Sequence, residues 1–228
     1  MSAREEILSA VQQSLKRAPG DEAAVEARLS GHPRGIVPAR TDRDHAALVE
    51  LFVEMAKKVQ TTTARVTSAE DIPGALSEFL KSHNLGGTVK LAPAAELEAL
   101  PWRDKAPNLT LASGRAENSD EVSLVRAFGG VAETGTLMLH SGAEGPTTLN
   151  FLPENHVVVL KASEIGGSYE EVWDRLRQRF GEGRLPRTVN CITGPSRTGD
   201  IEQTIQLGAH GPRRLHVTLW DDGEEAGS

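Results

Sequence analysis

Short apolar strands alternate with amphipathic helices through the middle of the chain, and this alternation constrains the fold more than any other feature. One helix pattern starts at Asp44, and its apolar residues repeat at the spacing of one helix face: Leu48, Leu51, Phe52, Met55 and Val59. A second helix is predicted to open at 68–71, and short strands are predicted at 64–67, 88–91 and 108–111. Strands that are separated by single helices pair in parallel, because a parallel pair needs a long crossover. We therefore predict an α/β fold with a largely parallel sheet flanked by helices.

The second half of the chain is predicted to be richer in strands. They are expected at 122–126, 135–140, 156–160, 188–193 and 215–220. Two helices are predicted among them. The first covers 169–180 behind a capping box that begins at Ser168, and the second covers 200–207 ahead of Gly208.

The first 41 residues are predicted to form a helical arm and an irregular linker. Ser2 and Glu5 have the spacing of a capping box, and the helix that follows has one apolar face: Ile7, Leu8, Val11 and Leu15. Residues 19–41 are rich in Gly and Pro, which favours a linker. The arm is expected either to pack on a partner or another subunit, or to fold back on its own chain. The predicted divisions are therefore 1–41, an α/β domain at 42–220 and an acidic tail at 221–228.

Composition excludes several classes of function. The 228 residues carry a formal net charge of −7 and 4% aromatic residues, whereas nucleic-acid-binding domains are usually basic and often stack bases on aromatic rings. Cys191 is the single cysteine, so this chain cannot form an internal disulfide or supply the thiolates of a cysteine-ligated iron–sulfur cluster. The seven histidines lack metal-site spacing, and no apolar run approaches the ~18 residues of a membrane span. We expect a soluble, cytoplasmic protein without a metal, a cofactor or a nucleic-acid partner.

The first candidate site is a glutamate between glycines in the segment GGVAETGT at 129–136. Glycine permits close approach to the backbone, so a ligand is expected to reach Glu133 beside Thr134, Gly135 and Thr136. Partial burial would suit the Glu133 carboxyl to acid–base or nucleophilic catalysis. The alternative is a plain bend between two strands that carries a surface carboxylate.

The second candidate site is the segment TGPSRTGDIE at 193–202, where a predicted strand runs into a predicted helix. Ligands of parallel sheets bind at the carboxyl ends of strands, and a helix start offers free N–H groups. These groups are expected to hold a carboxylate or phosphate together with four residues of the turn: Gly194, Ser196, Arg197 and Thr198. Asp200 lies in the same turn, and as an N-cap it would occupy those donors itself, so an ordinary capped helix start is the alternative. The signatures of a P-loop, a hydrolase elbow and a dinucleotide-binding turn are absent from the sequence.

Four segments of the sequence, in this order, resemble the LUD-domain family. VAETGTL at 131–137 resembles the family's AETGT segment, and FLP at 151–153 resembles its LLP segment. ITGPSRTGDIE at 192–202 resembles its ITGPS–ADIE signature, and GAHGP at 208–212 resembles the segment that follows that signature.

The resemblance is dense over 122–220 and rests on the helix and strand pattern alone over 44–120. It implies a fold like that of the NagB/RpiA/CoA-transferase proteins. It also implies a part in the oxidation of L-lactate to pyruvate alongside two iron–sulfur proteins. The clusters are then expected in those partners, and this chain is expected to carry no cofactor.

Three interpretations of the function stay open. In the first, the chain is a non-redox subunit or accessory protein of an L-lactate-oxidising complex. In the second, it is a stand-alone enzyme of the CoA-transferase or isomerase type that uses Glu133 as base or nucleophile. In the third, it is an assembly or regulatory module without catalysis. Convergence of Glu133, Ser196 and Arg197 in one pocket would favour a ligand site, whereas positions on different faces would favour the assembly role.

The chain departs from the family pattern at two points. The family often has a basic residue shortly before its LLP segment, whereas residues 145–150 contain none. If that cation holds an anionic ligand, Arg197 or Arg126 is the expected substitute. Gly199 replaces the usual Ala before Asp200, which is expected to loosen the predicted helix start.

Overall fold

The computed structural model of the chain describes residues 2–16, 22–181, 183–199 and 206–223. The chain divides into two compact units, Met1–Ile36 and Val37–Ser228. No helix in these described ranges is long and apolar enough to cross a membrane.

The first unit contains the helices α1 (Ala3–Leu15) and α2 (Glu22–Gly31), and neither has a buried residue. The predicted capping box of α1 is confirmed, since Ser2 Oγ accepts from Glu5 N at 3.4 Å and Glu5 Oε2 accepts from Ser2 N at 2.7 Å. The prediction of an irregular linker over 19–41 is wrong where α2 lies. Alanine and glutamate dominate 22–28, and their helix propensity outweighs the Gly and Pro that flank the segment.

The second unit is an α/β structure. Its described helices are α3 (His45–Lys58), α4 (Ile72–Ser82), α5 (Ala95–Glu98), α6 (Trp102–Lys105) and α7 (Tyr169–Phe180). Its described strands are β1 (Thr62–Val66), β2 (Thr88–Leu91), β3 (Thr110–Ser113), β4 (Val122–Arg126), β5 (Gly129–Val131), β6 (Thr136–His140), β7 (Asn155–Lys161), β8 (Ile165–Gly166), β9 (Val189–Ile192), β10 (Arg197–Thr198), β11 (Gln206–Leu207) and β12 (Arg214–Trp220).

A six-stranded sheet forms the centre of this unit in the order β1-β12-β7-β4-β2-β3, and every pair in it is parallel. The predicted α/β fold with a largely parallel sheet is therefore confirmed. The central strand β7 is an almost continuous apolar run and is buried from Asn155 to Leu160, as expected of a strand that is covered on both faces. Helix α4 packs against β1 and β12, and α3 packs against β1 and β8.

A second sheet of four strands, in the order β8-β5-β6-β9, was not predicted. Strands β5 and β6 form an antiparallel hairpin, β9 lies antiparallel to β6, and β8 lies parallel to β5. Its buried side chains Val131 and Met138 pack on Val172 of α7. This sheet carries both candidate sites, because the first is the hairpin turn and the second follows β9.

The helix predicted at 200–207 is wrong in the part that the structure describes. Strand β11 pairs with β10 in antiparallel fashion, and Gly208 N donates to Ser196 O at 2.9 Å to close the pair. The pairing of β10 with β11 thus outweighs the local residue pattern that favoured a helix. Residues 200–205, which include Asp200, lie outside the described residues.

Candidate functional site

The hairpin turn of the first candidate site is pressed against the end of helix α3. Gly135 has a φ of +67°, and a Cβ at this position would lie 2.3 Å from Ala56 N and 2.7 Å from Ala56 Cα. Gly135 N donates to Val131 O at 2.9 Å, which closes the turn. Only glycine fits here, because the backbone of α3 occupies the space that a side chain would need.

The carboxylate of Glu133 is held at the start of helix α7. Its Oε1 accepts a hydrogen bond from Tyr169 N, the first helical residue, at 3.1 Å, and its own N–H donates to Gly167 O at 3.0 Å. The side chain is 8% exposed. A carboxylate at this position satisfies a free helix N–H and interacts favourably with the helix dipole. The predicted catalytic carboxylate therefore has a structural partner.

Four hydroxyl groups join the two candidate sites. Thr136 Oγ1 lies 2.7 Å from Thr134 Oγ1, 2.8 Å from the Tyr169 hydroxyl and 2.6 Å from Thr193 Oγ1. Thr134 also lies within 3.2 Å of the Tyr169 hydroxyl. Thr136 is fully buried, so this cluster fixes the hairpin turn, the start of α7 and the segment after β9 relative to one another.

The turn of the second candidate site also packs on the end of α3. Gly194 has a φ of +75°, and a Cβ there would lie 2.4 Å from Val59 O. The guanidinium of Arg197 donates to the same Val59 carbonyl. A cation at a helix C-terminus is favourable because the last carbonyls lack helical partners. Arg197 therefore holds the end of α3.

Ser196 faces the loop at 208–212 that follows β11. Its N–H donates to Pro212 O at 2.8 Å, and its hydroxyl accepts from His210 N at 3.3 Å. These bonds bring the described parts of two segments that resemble the family, 192–199 and 208–212, against each other.

One cavity of about 230 Å³ lies between these segments and the residues after 145. Its lining comes from three of the four resembling segments and the strands beside them: Asn150, Phe151, His156, Cys191, Ile192, Thr193, Gly194, Pro195, Ser196, His210, Gly211, Pro212 and Leu215. The described lining contains no Lys or Arg. The cavity is smaller than the ~300–1,000 Å³ typical of drug-sized ligands, so it suits a small molecule.

The cavity lies at the amino ends of the parallel strands, contrary to the expectation from the sequence. His156 near the start of β7 pairs in register with Leu215 near the start of β12, and both line the cavity. The expectation assumed that the segment after β9 follows a strand of the parallel sheet. Strand β9 instead belongs to the second sheet and lies antiparallel to β6.

Two titratable groups in the cavity wall have perturbed pKa values. Burial lowers the pKa of His156 to about 4, so this imidazole is neutral at physiological pH. Partial burial also raises the pKa of the Cys191 thiol, which makes it a weaker nucleophile.

The structure brings only part of the predicted site together. Gly194 and Ser196 line the cavity, whereas Glu133, Arg197 and Thr198 are not among its lining residues. The turn residues Thr134, Gly135 and Thr136 adjoin it through the bond from Thr136 to Thr193. Arg126, the other expected cation, lies at the end of β4 and forms ion pairs with Glu96 and Glu164. The roles assigned to these residues stay predictions.

His140 and His156 have separate partners. His140 packs edge-on against Phe128 and Phe180, while His156 Nδ1 lies 3.0 Å from Ser123 Oγ. In the described part of the chain, no group of three or more His, Cys, Asp or Glu residues is placed to hold a metal ion.

Sequence reasoning missed three residues of this region. His156 follows the FLP segment, Thr193 lies within the second candidate segment, and Tyr169 opens α7. The sequence did hold a signal for His156, because it is a polar residue in an apolar strand. A polar side chain in a buried strand needs a hydrogen-bond partner. The contacts of Thr193 and Tyr169 with Thr136 depend on tertiary structure and had no local signal.

Comparison with known proteins identifies the family. The model of the LUD domain matches residues 49–220, which are 172 of the 228 residues. The chain belongs to the LUD-domain family. The match includes all four segments that line or adjoin the cavity, so the resemblance drawn from the sequence is confirmed.

The relatives of this chain include proteins named for lactate utilization and proteins described as uncharacterized. Lactate utilization protein C of Geobacillus kaustophilus is 27% identical over 237 residues, which are 96% of each chain. The uncharacterized protein YkgG of Escherichia coli is 30% identical and covers 76% of this chain and 79% of its own. An uncharacterized protein of Neisseria meningitidis is 40% identical, but that match spans 39% of this chain and 37% of the relative's length.

A solved structure shares the fold. The crystal structure of a DUF162 family protein from Deinococcus radiodurans has a TM-score of 0.57 and 23% identity, and it covers 78% of this chain and 99% of its own.

Proposed function

We propose that this chain is a non-redox component of a system that oxidises L-lactate to pyruvate, and that two iron–sulfur partner proteins carry out the electron transfer. The proposal places the chain in the cytoplasm with these partners. It rests on membership of the LUD-domain family and on full-length relatives named lactate utilization protein C. The single cysteine supports it further, because this chain cannot supply the thiolate set of a cysteine-ligated cluster.

The structural observation that carries the proposal is the cavity of about 230 Å³. Residues of the segments at 151–153, 192–199 and 208–212 meet there, although these segments are distant in sequence. Such convergence supports a shared site for a small ligand and not three separate structural turns. A small anionic ligand remains part of the proposal, with hydroxyl and backbone groups as its donors.

The alternative of a stand-alone CoA-transferase or isomerase has less support. It requires the Glu133 carboxylate to face a substrate, whereas Oε1 of this carboxylate accepts from Tyr169 N and the residue is not in the cavity lining. The Cys191 thiol, which does line the cavity, has a pKa that partial burial raises above its ordinary value, which makes it a weaker nucleophile.

Growth on L-lactate tests the proposal. The test uses a host strain that needs its own lactate utilization protein C to grow on L-lactate and from which that protein has been deleted. We expect this chain to restore growth on L-lactate and to leave growth on glucose unchanged. Failure to restore growth when the folded chain is present in the cells would reject the proposed role.

An assembly role is the second candidate, and one observation favours it. Helix α1 exposes its whole apolar face, with exposed fractions of 64%, 51%, 48% and 56% for Ile7, Leu8, Val11 and Leu15. Pull-down of the two iron–sulfur proteins by the full chain and by a chain without residues 1–18 tests this role. Loss of the complex on truncation supports docking through α1, and equal recovery of both partners rejects it.

A further inference from the structure

A second cavity, of about 340 Å³, lies at the loop that follows β6. Four polar side chains line it, and each is half-buried or exposed: Arg115, Ser141, Thr147 and Thr148. None of its lining residues also lines the cavity of about 230 Å³. The two cavities are therefore separate sites.

Hydrogen bonds to two other segments hold the wall of this second cavity in place. Ser141 N donates to Thr188 O at 2.9 Å, and Ser141 Oγ accepts from Thr188 N at 3.0 Å. Thr148 Oγ1 accepts from Ala116 N at 3.1 Å, which ties the loop to the residue after Arg115. A wall that is fixed in this way loses little freedom when a ligand binds.

The polar side chains of the lining can donate hydrogen bonds. The hydroxyl oxygens of Ser141 and Thr148 act as acceptors in the bonds above, so each hydroxyl still has a proton to donate. Thr147 is half-buried, and its hydroxyl bonds to none of the described residues. The described lining contains no Asp, Glu or His. A ligand that is rich in acceptors fits these donors.

Arg115 supplies the positive charge of this lining. Its side chain is exposed and pairs with none of the residues that the structure describes. Arg126 and Arg197, the two arginines that were expected to hold an anion, are instead engaged with carboxylates of the chain and with Val59 O. The planar guanidinium of Arg115 can donate two parallel hydrogen bonds to the oxygens of one anionic group.

We propose that this second cavity binds the phosphate group of a small molecule through the Arg115 guanidinium and the hydroxyls of Ser141, Thr147 and Thr148. Phosphate has three strong acceptor oxygens and up to two negative charges, so it can bind the guanidinium and the hydroxyls together. A carboxylate has two oxygens and one charge. The cavity volume of about 340 Å³ also leaves room for the organic part of a small phosphate ester.

Amide NMR of the full chain tests the proposal by titration. Sodium phosphate, glycerol phosphate and sodium acetate are added separately at a fixed pH. Sodium chloride is reduced in step to keep the ionic strength constant, because screening by salt alone changes the environment of exposed charges. The amide of Gly211 is an internal control, since this residue lines the other cavity.

We expect the amide signals of Gly142, Gly145 and Thr147 to move and to saturate with both phosphate compounds, while the Gly211 signal stays in place. Acetate is expected to bind at least about fivefold more weakly, because it makes fewer charge-assisted hydrogen bonds. No saturable movement of the loop signals with either phosphate compound, or equal binding of acetate, would overturn the proposal.

Two arginine substitutions separate this site from a general attraction of anions. Arg115→Gln removes the cation of the cavity, whereas Arg103→Gln removes the same charge from an exposed residue that lines a different cavity. We expect Arg115→Gln to bind phosphate about tenfold more weakly, as the loss of a charge-assisted hydrogen bond requires, and Arg103→Gln to bind it unchanged. Equal weakening in the two folded variants would contradict the assignment.

Glu144 tests the sign of the charge that the loop accepts. This residue is exposed in the same loop and is not among the lining residues. Glu144→Gln removes a negative charge, so we expect phosphate to bind at least as tightly as it does to the unaltered chain. Weaker binding of phosphate by this variant would count against an anion site.

The outcome is independent of the growth experiment, because this inference does not rest on the proposed function. If the chain restores growth on L-lactate but phosphate does not bind the loop, this inference fails and the proposed function stands. If phosphate binds the loop through Arg115 but growth is not restored, the binding site stands and the proposed function fails.

Discussion

Glu133 and Arg197 are the charged residues of the two candidate turns, and each meets the end of a helix. The Glu133 carboxylate lies at the N-terminus of α7, and the Arg197 guanidinium lies at the C-terminus of α3. Both placements match the sign of the helix dipole. These contacts give each of the two charged side chains a structural partner at a helix terminus.

Substitution of Glu133 separates a structural role from a catalytic one. Glu133→Gln keeps an acceptor for Tyr169 N, so we expect a loss of less than about 1 kcal/mol in the free energy of unfolding. Glu133→Ala leaves that N–H unpaired and should cost about 1–2 kcal/mol. Urea unfolding measures both values. If Glu133→Gln keeps full stability but fails to support growth on L-lactate, the carboxylate has a chemical role.

The two buried histidines make stability depend on pH. Burial lowers the pKa values of His156 and His216 to about 4 in the folded chain, whereas an unfolded histidine titrates near its ordinary 6.5. Between these values the unfolded state binds more protons, so stability is fully present above pH 6.5 and is lost as the pH falls toward 4.

Each histidine should contribute a slope of about 1.4 kcal/mol per pH unit in this window. Unfolding in urea at several pH values between 4 and 7 measures the slope. We expect His156→Gln to reduce this slope by the contribution of one histidine, about 1.4 kcal/mol per pH unit. An unchanged slope in that variant would show that His156 titrates normally in the folded chain.

At the scale of elements, the end of α3 organises both candidate turns. Gly135 touches Ala56, and Gly194 touches Val59, so both turns approach the backbone of the same helix terminus. The hydroxyl cluster around Thr136 then joins these turns to α7. The wall of the cavity is thereby fixed by a helix that does not itself line it.

Substitution of the packing glycine tests this arrangement. Gly135→Ala forces a side chain into α3 at a positive φ and should cost about 2 kcal/mol or more. Gly199→Ala is the matched control, because a Cβ there meets none of the described atoms within 4 Å, and it should change stability by less than about 0.5 kcal/mol. Equal melting temperatures for the two variants would mean that the turn does not press on α3.

Elements with a strong local pattern were predictable from the sequence, and elements that depend on distant partners were not. Helix α7 was predicted with its bounds, because its apolar spacing and capping box are local signals. Strands β5 and β8 have three and two residues, too few to show an alternation. Strand β11 exists through its pairing with β10, which the spacing of the segment does not reveal.

The candidate site shows the same limit. The turns around Glu133 and Ser196 were located from their glycines and from the family resemblance. The convergence of Ser196, His210 and His156 in one cavity depends on the register of β7 with β12 and on the loop that follows β11. That arrangement is a property of the tertiary fold.

At the scale of the whole molecule, the first unit is expected to be dispensable for the stability of the second. No residue of α1 or α2 is buried. A chain that begins at Val37 should therefore keep the free energy of unfolding within about 0.5 kcal/mol. A chain that begins at His45 loses the buried Thr41 and the Asp44 cap of α3, and it should lose about 1–2 kcal/mol. A large loss in the longer of these chains would contradict this account.

The most direct test of the account measures L-lactate-dependent reduction of a dye by purified proteins. The chain is assayed alone, the two iron–sulfur proteins are assayed together, and all three are then combined. The account predicts no reduction by this chain alone and faster reduction by the three proteins than by the two iron–sulfur proteins. Reduction of the dye by this chain alone, or a rate that its addition leaves unchanged, would contradict the claim that it is a non-redox component of L-lactate oxidation.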